Sequence, residues 1–480
     1  MARDLLLERD LQLDSVISGN HRLSVRDALR LYNEASLHAL GRWSSAMADR
    51  IHGKAQDGAA RTYIIDRNIN YTNVCSASCT FCAFFRKEGD ADAYVLTRQQ
   101  LHDKVRELSD IGGTQVLLQG GMHPSLGVDF YVDLLKGLKS EFPHIHIHGF
   151  SPPEFVEFVA VYELEGFPKT DPRSGHTMGR DLWLAKLEAI MRLLMDAGLD
   201  SLPGGGGEIF AEHVRRRIGL GKATADQWLD VMAMAHRLGM KTSGTMMFGH
   251  IEGVADRFDH MNRIRTRQDH AIENNWSGRY MSFIAWPFQR ENTPLGHLPD
   301  YDRASAEPFP GDELAMAVLE GRVDPLDKKS CGEAVPRAGK VVRLAGATEY
   351  LRMQAISRLF MDNIHSIGSS WVTMGPHIGE LALFYGANDM GSVMMEENVV
   401  SAAGTTYCLN EAVLCRLIRD AGFTPAQRDN AYRFIKTHGG ASAPDLDVKD
   451  WSTQRAQKLH IEAAKPQDQK PIELTISSNQ

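Results

Sequence analysis

The chain has 480 residues, 43% of them hydrophobic, which is enough to bury a large core and excludes disorder throughout. Its formal charge of -8 comes from 61 acidic against 53 basic side chains spread along the sequence, so no basic footprint points to nucleic acid or an anionic membrane. Arg3, Asp4, Glu8 and Arg9 break up the first apolar run before it reaches signal-peptide length, and no later stretch is apolar enough to span a bilayer; a cytoplasmic protein with a small-molecule partner is expected.

A mostly helical N-terminal stretch, 1–54, precedes an alternation of short apolar runs with amphipathic patterns, as in βα units around a parallel sheet. The first run, Thr62 to Asn73, ends at a cysteine cluster. The next helix has Thr97 as N-cap, Leu101, Val105 and Leu108 on one face and Gly112-Gly113 as its stop. Strand Thr114 to Gln119, helix Val128 to Ser140, strand His144 to Phe150, helix Leu182 to Met195 and a short strand at Ser201-Leu202 follow. Thr224 and Gln227 form a capping box for a helix through Leu238, before strands Lys241 to Met247 and Met281 to Trp286. Segments Ser369 to Val372 and Asp389 to Val393 are expected to complete a closed α/β barrel of the (βα)8 TIM type spanning 55–410. Pro-, Gly- and charge-rich stretches near 163–179 and 298–340 read as surface insertions, the second with one helix around Asp312 to Glu320. Residues 411–444 are expected to form a helical cap and 445–480 a polar tail.

Of six cysteines, Cys331, Cys408 and Cys415 are scattered while three crowd into Cys75-Ser-Ala-Ser-Cys79-Thr-Phe-Cys82, pointing to metal chemistry in a reducing compartment. Three thiolates on one loop after a strand can hold three irons of a cubane and leave the fourth open. Structural zinc, which wants four protein ligands, is the alternative. Asp200-Ser-Leu-Pro-Gly-Gly-Gly-Gly-Glu208 is a second unusual run: its glycines allow the backbone near a ligand, and Glu208 offers it an acceptor.

The cysteine spacing, with Phe81 directly before the third cysteine, resembles the signature of the radical S-adenosylmethionine (SAM) superfamily. The resemblance implies a [4Fe-4S] cluster on Cys75, Cys79 and Cys82, SAM chelating the open iron, and a 5'-deoxyadenosyl radical that removes a substrate hydrogen. It further implies that Gln119-Gly120-Gly121 holds the methionyl amine, that Ser151 of Ser151-Pro-Pro-Glu154 contacts SAM, that Glu208 meets the SAM ribose and that Arg215 pairs with its carboxylate. Plain turns, and a solvated patch of Arg215, Arg216 and Arg217, are the competing readings of these segments.

From about Asn68 to Tyr432 the chain is similar to the menaquinone-pathway group of that superfamily, which acts on futalosine-derived nucleosides. The similarity rests on Asn70-Tyr-Thr-Asn-Val-Cys75, Cys82-Ala-Phe-Phe-Arg86, Thr245-Met-Met-Phe-Gly-His-Ile-Glu252, Trp286-Pro-Phe-Gln289, Ser370-Trp-Val-Thr-Met-Gly-Pro376, Gly386-Ala-Asn-Asp389, Glu396-Glu-Asn398 and Ser401-Ala-Ala-Gly404. His123 and His213 depart from its motifs. The segments at Trp286 and Ser370 resemble the branch that cyclises dehypoxanthine futalosine; the aminofutalosine-forming and deazaflavin-forming branches are the alternatives. The implied reaction takes the ribose C4' hydrogen, joins the new radical to the benzoate ring and then loses one electron and one proton, with a flavodoxin or ferredoxin as reducing partner. Candidates for the base or for hydroxyl contacts are His250, Glu252, Asp389 and Glu397. Trp286, Phe288, Gln289, Trp371 and Asn388 are the expected pocket residues, with ordinary core packing as the alternative for the aromatic ones.

Overall fold

The computed structural model describes residues 2–168, 178–219 and 221–439. Eleven strands are present among them: β1 (Ala60–Ile64), β2 (Asp66–Asn70), β3 (Gln115–Gln119), β4 (His146–Gly149), β5 (Ser201–Leu202), β6 (Lys241–Phe248), β7 (Arg279–Pro287), β8 (Ser366–Ile367), β9 (Asp389–Ser392), β10 (Thr424–Arg428) and β11 (Phe434–Thr437). β2 to β8 form one parallel sheet in sequential order. Helices connect successive strands, as parallel pairing requires.

The expected barrel closes through β9. The chain passes from β1 to β2 with only Ile65 between them, so one run pairs first with β9 and then with β3. On its other side β9 meets β8 through the Gly368–Asp389 bridge, the Ser369 N–H donating to Asp389 O at 2.8 Å. Ser369 to Val372, expected as strand, is not one: the strand is Ser366–Ile367, and Trp371–Met374 turns into a helix. The expected helical cap at 411–444 is only partly helical, because helix Glu411–Asp420 is followed by β10, parallel to β1, and β11, antiparallel to β10.

Local chemistry fixes the helix starts where the sequence places them. Thr97 with Gln100 and Thr224 with Gln227 make reciprocal capping boxes, each worth about 1 kcal/mol. The four N-terminal helices, Ala2–Asp10, Leu13–Ser18, Val25–Glu34 and Leu37–His52, bury Leu7, Leu31, Leu40 and Trp43 in the same apolar core as the barrel. The 298–340 insertion holds two helices, Pro310–Leu319 and Lys328–Ala334, around its own small core of Leu314, Ala317, Val323, Cys331, Val335 and Ala338. The second starts where the Asp327 side chain accepts the Lys329 N–H, a cap its short pattern conceals. Much of the 163–179 insertion, and the 445–480 tail, lie outside the described residues. Among the described residues no helix is long and apolar enough to cross a membrane.

Candidate active site

A cavity of about 490 Å³ runs into the barrel. Its mouth lies at the C-terminal ends of the strands, where barrel folds place their chemistry. There the cysteine loop follows β2, Gly120-Gly121 follows β3, Ser151 and Glu154 follow β4, and the Pro203 to Glu208 loop follows β5. Asp66, Gln115, His148, Ser282, Asp389 and Arg428 carry the lining down toward the N-terminal ends.

Cys75, Cys79 and Cys82 all line this cavity and are unbridged. The loop is pinned from both sides: the Cys75 N–H donates to Arg86 O, the Ser76 N–H to Met122 O and the Thr80 N–H to Ile218 O, each at 2.9 Å. Ser78 takes φ +47°, a left-handed turn that wraps the loop between its first two cysteines. Burial pushes all three thiols up, Cys79 to about 12, while the Lys222 ammonium pulls the other way. Gly121 is where this loop meets its neighbour, because a Cβ there would stand 2.1 Å from Val74 O.

Three residues of the four-glycine run, Gly204, Gly205 and Gly206, line the cavity, and the run also has a packing role. A Cβ on Gly204 would meet Ser243 O at 2.4 Å and one on Gly205 the Gln119 amide nitrogen at 2.5 Å. The glycines therefore seat the loop against β6 and β3, bringing Glu208 to the cavity wall. Glu208 has φ +36° and is buried; its Oε1 accepts from Lys222 at 2.6 Å, and its Oε2 has no hydrogen-bond donor. Arg215 Nη1 stands 3.9 Å from that Oε2, so the carboxylate sits at the cavity wall between two cations with one oxygen still without a hydrogen bond.

Glu154 ties three of these parts together. It accepts from the Tyr71 hydroxyl at 2.6 Å and the Gly120 N–H at 3.1 Å with one oxygen, and from the Ser151 N–H and hydroxyl, both at 2.7 Å, with the other. Burial raises its carboxyl to about 7 against these donors. Ser151 is the N-cap of helix Pro152–Val161, so the prolines open a helix where a loop was one expectation.

The remaining sequence candidates divide between the cavity and the layer around it. Asp389 lines the cavity; its Oδ1 accepts from Arg428 at 2.7 Å and from Thr62 at 2.6 Å, and its Oδ2 from Arg428 at 2.8 Å, which leaves Oδ2 room for a further donor. Glu397 lines it too, accepting from the N–H groups of Val399 and Val400 and from the Asn68 amide at 3.1 Å. Trp286 and Trp371 form part of the wall. His250, Glu252, Phe288, Gln289, Asn388 and Arg215 are not among the lining residues. Gly249, at φ +87°, turns the chain after β6 so that Glu252 meets Arg257 at 2.8 Å and His250 at 3.0 Å in a fully buried cluster, with Phe288 edge-on to His250. Asn388 accepts from Arg358 at 2.6 Å, Gln289 donates to Pro287 O, and Arg215 spends its guanidinium on the carbonyls of Ala223, Gly207 and Gly206. His213 pairs with Asp256, and His123 accepts the Ser125 N–H. Lys222, Asp66, His148, Asn68 and Arg428 were not singled out in the sequence; none stands in a local pattern that marks it, and each enters by strand register or loop closure.

Comparison with known proteins fits this geometry. Residues 69–264 match the radical SAM superfamily, and residues 325–439 match the CofH/MqnC C-terminal region. The cyclic dehypoxanthine futalosine synthase of Halalkalibacterium halodurans is 37% identical over 435 residues, 91% of this chain and 97% of that one. The chain belongs to the radical SAM superfamily. Another relative, the 5-amino-6-(D-ribitylamino)uracil--L-tyrosine 4-hydroxyphenyl transferase of Methanopyrus kandleri, is 34% identical over 78% of this chain and 85% of its own. The crystal structure of methylornithine synthase shares the fold, with a TM-score of 0.56 at 16% identity over 87% of this chain and 98% of that one.

Radical SAM membership implies SAM and a [4Fe-4S] cluster, and the residues present fit both. Cys75, Cys79 and Cys82 pack in one cluster with Ala77, Phe81 and Met122 at the cavity wall. A cubane takes each thiolate to a separate iron, so the three sulfurs need not converge. The donorless Oε2 of Glu208 suits a hydroxyl-bearing ligand such as the SAM ribose.

Proposed function

We propose that this enzyme converts dehypoxanthine futalosine to cyclic dehypoxanthine futalosine, a step toward menaquinone. The observation that carries the reading is the 37% identity to a cyclic dehypoxanthine futalosine synthase across 91% of this chain and nearly all of the relative. That span includes both the cysteine loop and the C-terminal segment whose Asp389, Glu397 and Arg428 line the same cavity.

In this reading Cys75, Cys79 and Cys82 hold the cluster; Gln119, Gly120, Gly121 and Ser151 contact the methionyl part of SAM; and Glu208, oriented by Lys222, takes the ribose hydroxyls. With cluster and SAM bound, the site would supply a 5'-deoxyadenosyl radical and, in the oxidised cluster, an acceptor for the electron released when the product ring regains aromaticity. The protein's own contribution is positioning and exclusion of water. Trp286 and Trp371 wall the pocket against the benzoate ring, which keeps a carbon radical from quenching. Asp389, fixed by Arg428, and Glu397, fixed by two backbone N–H groups, are rigid acceptors for nucleoside hydroxyls. Arg215 acts through the loop carbonyls it binds and is a positioning residue; His250 and Glu252 brace the end of β6. A reductant of the flavodoxin or ferredoxin class would reduce the cluster once, before the first turnover.

The test is anaerobic incubation of reconstituted protein with SAM, reductant and dehypoxanthine futalosine, with mass analysis. Formation of 5'-deoxyadenosine together with a product two hydrogens lighter is expected. 5'-Deoxyadenosine without that product overturns the substrate assignment and leaves radical SAM chemistry standing.

A further inference from the structure

Cyclisation releases a proton deep in the barrel, and one set of buried groups below the SAM end of the cavity has no part in binding the cluster or SAM. β4 and β5 pair so that His148 stands opposite Ser201. The Ser201 hydroxyl lies 2.6 Å from His148 Nδ1 and, on its other side, 2.6 Å from His146 Nε2. Alternate residues of a strand share a face, so the two imidazoles stand one above the other on β4 with the hydroxyl bridging them. His148 lines the cavity, and its Nε2 has no hydrogen-bond partner among the described residues. His146, first in its strand, is partly exposed at the barrel floor.

We propose that His148, Ser201 and His146 form a proton relay from the substrate cavity to the floor of the barrel, with His148 as the catalytic base. The inference rests on the cyclase reading. The ring carbon that has formed the new bond loses its hydrogen as a proton to His148 Nε2, its electron going to the oxidised cluster. His148 Nδ1 gives its proton to Ser201 Oγ, Ser201 passes its own to His146 Nε2, and His146 Nδ1 releases one at the floor. One proton leaves the ring, one appears in solvent, and both imidazoles end neutral.

The surrounding charges set the direction. Burial holds the His148 imidazole well below its ordinary range, and His146 and Arg428 add to this, so a positive charge does not rest there. His146 is lowered by burial and by Lys139, but Asp200 and Asp429 favour its protonated form. His148 thus faces the Arg428 guanidinium, paired with Asp389, while His146 faces Asp200, paired with Lys139, and Asp429, paired with Arg433, and these two carboxylates favour the proton on the lower imidazole. Loss of the ring proton restores aromaticity, which makes it acidic enough for a weakly basic imidazole to accept when the proton is passed on at once.

The test uses reconstituted enzyme, substrate deuterated at C4' and the variants Ser201→Ala, Ser201→Thr and His146→Gln. Deuterium transfer to 5'-deoxyadenosine reads hydrogen abstraction, and the cyclised product reads ring deprotonation. With Ser201→Ala and with His146→Gln, deuterium transfer is expected to continue while cyclised product falls by roughly a hundredfold, the usual worth of a positioned acid or base. Ser201→Thr, which keeps the hydroxyl, is expected to restore product. An unchanged ratio of the two products in both Ser201→Ala and His146→Gln overturns the relay, as does an equal fall of both readouts that Ser201→Thr leaves in place. Wild-type protein that transfers deuterium without cyclising overturns the cyclase reading instead, and with it the proton assigned to the relay.

Discussion

Glu208, proposed above to take the SAM ribose hydroxyls, has its two carboxylate oxygens in unequal surroundings. Its Oε1 is satisfied by Lys222 and its Oε2 is buried without a donor, an arrangement that costs stability unless something supplies the missing hydrogen. Glu208→Gln keeps the volume and leaves one oxygen for Lys222, but turns an NH2 group toward the cavity, so two donors face each other where the SAM ribose is proposed to bind. Calorimetric titration of SAM into cluster-loaded Glu208→Gln should show affinity weakened about 10- to 100-fold, matching roughly 1.5–3 kcal/mol for a hydrogen bond to a charged group. Iron content should stay at the wild-type level. Unchanged SAM affinity would remove Glu208 from the SAM site.

At the scale of elements, the mouth of the cavity is a set of loops pressed together with little space between them. Gly121→Ala places a methyl 2.1 Å from Val74 O and 2.9 Å from the Cys75 Cβ, so the cysteine loop must move. The variant is expected to keep its far-ultraviolet circular dichroism yet bind substantially less iron on reconstitution, whereas Gly127→Ala, with nothing within 4 Å of the new Cβ, should reconstitute normally. Full iron loading by Gly121→Ala would show that the loop tolerates the displacement. These contacts also explain which parts of the site are readable in the sequence. Cys75, Cys79 and Cys82 lie within eight positions, and Thr97 and Thr224 cap helices through residues three places on, so local spacing reveals them. His148 and Ser201 are brought together only by strand register, and Asp389 and Arg428 by closure of the chain's C-terminal segment onto β1, which no local pattern encodes. His250 and Glu252 mark the opposite case. They follow a strand as catalytic groups do, but the left-handed turn at Gly249 sends them toward Arg257 in the surrounding helix layer.

Across the whole molecule the N-terminal helices and the barrel are joined by charge as well as by apolar burial. Tyr32, on helix Val25–Glu34, donates to Glu349 of helix Ala347–Phe360, and Arg257 of helix Val254–Glu273 binds both Glu349 and Glu252. Burial works to raise the Glu252 carboxyl, but His250, Arg257 and the N–H groups of Gly249 and His250 outweigh it and hold it at about 2. A carboxyl lowered on folding binds fewer protons in the native state, so its stabilisation is complete above the ordinary value of 4.5 and is lost as pH falls toward 2. The shift corresponds to about 3 kcal/mol. Glu154 has the opposite sign: raised by burial to about 7, it favours the folded state at low pH, and that contribution disappears as pH rises from 4.5 through 7. Thermal midpoints of the apo-protein measured against pH should therefore separate the two. Glu252→Gln should lower the midpoint at neutral pH and flatten the acid limb between pH 4.5 and 2, while Glu154→Gln should flatten the slope between 4.5 and 7 and leave the acid limb intact. An acid limb unchanged by Glu252→Gln would mean that the Arg257 cluster does not govern how the N-terminal helices stay attached in acid.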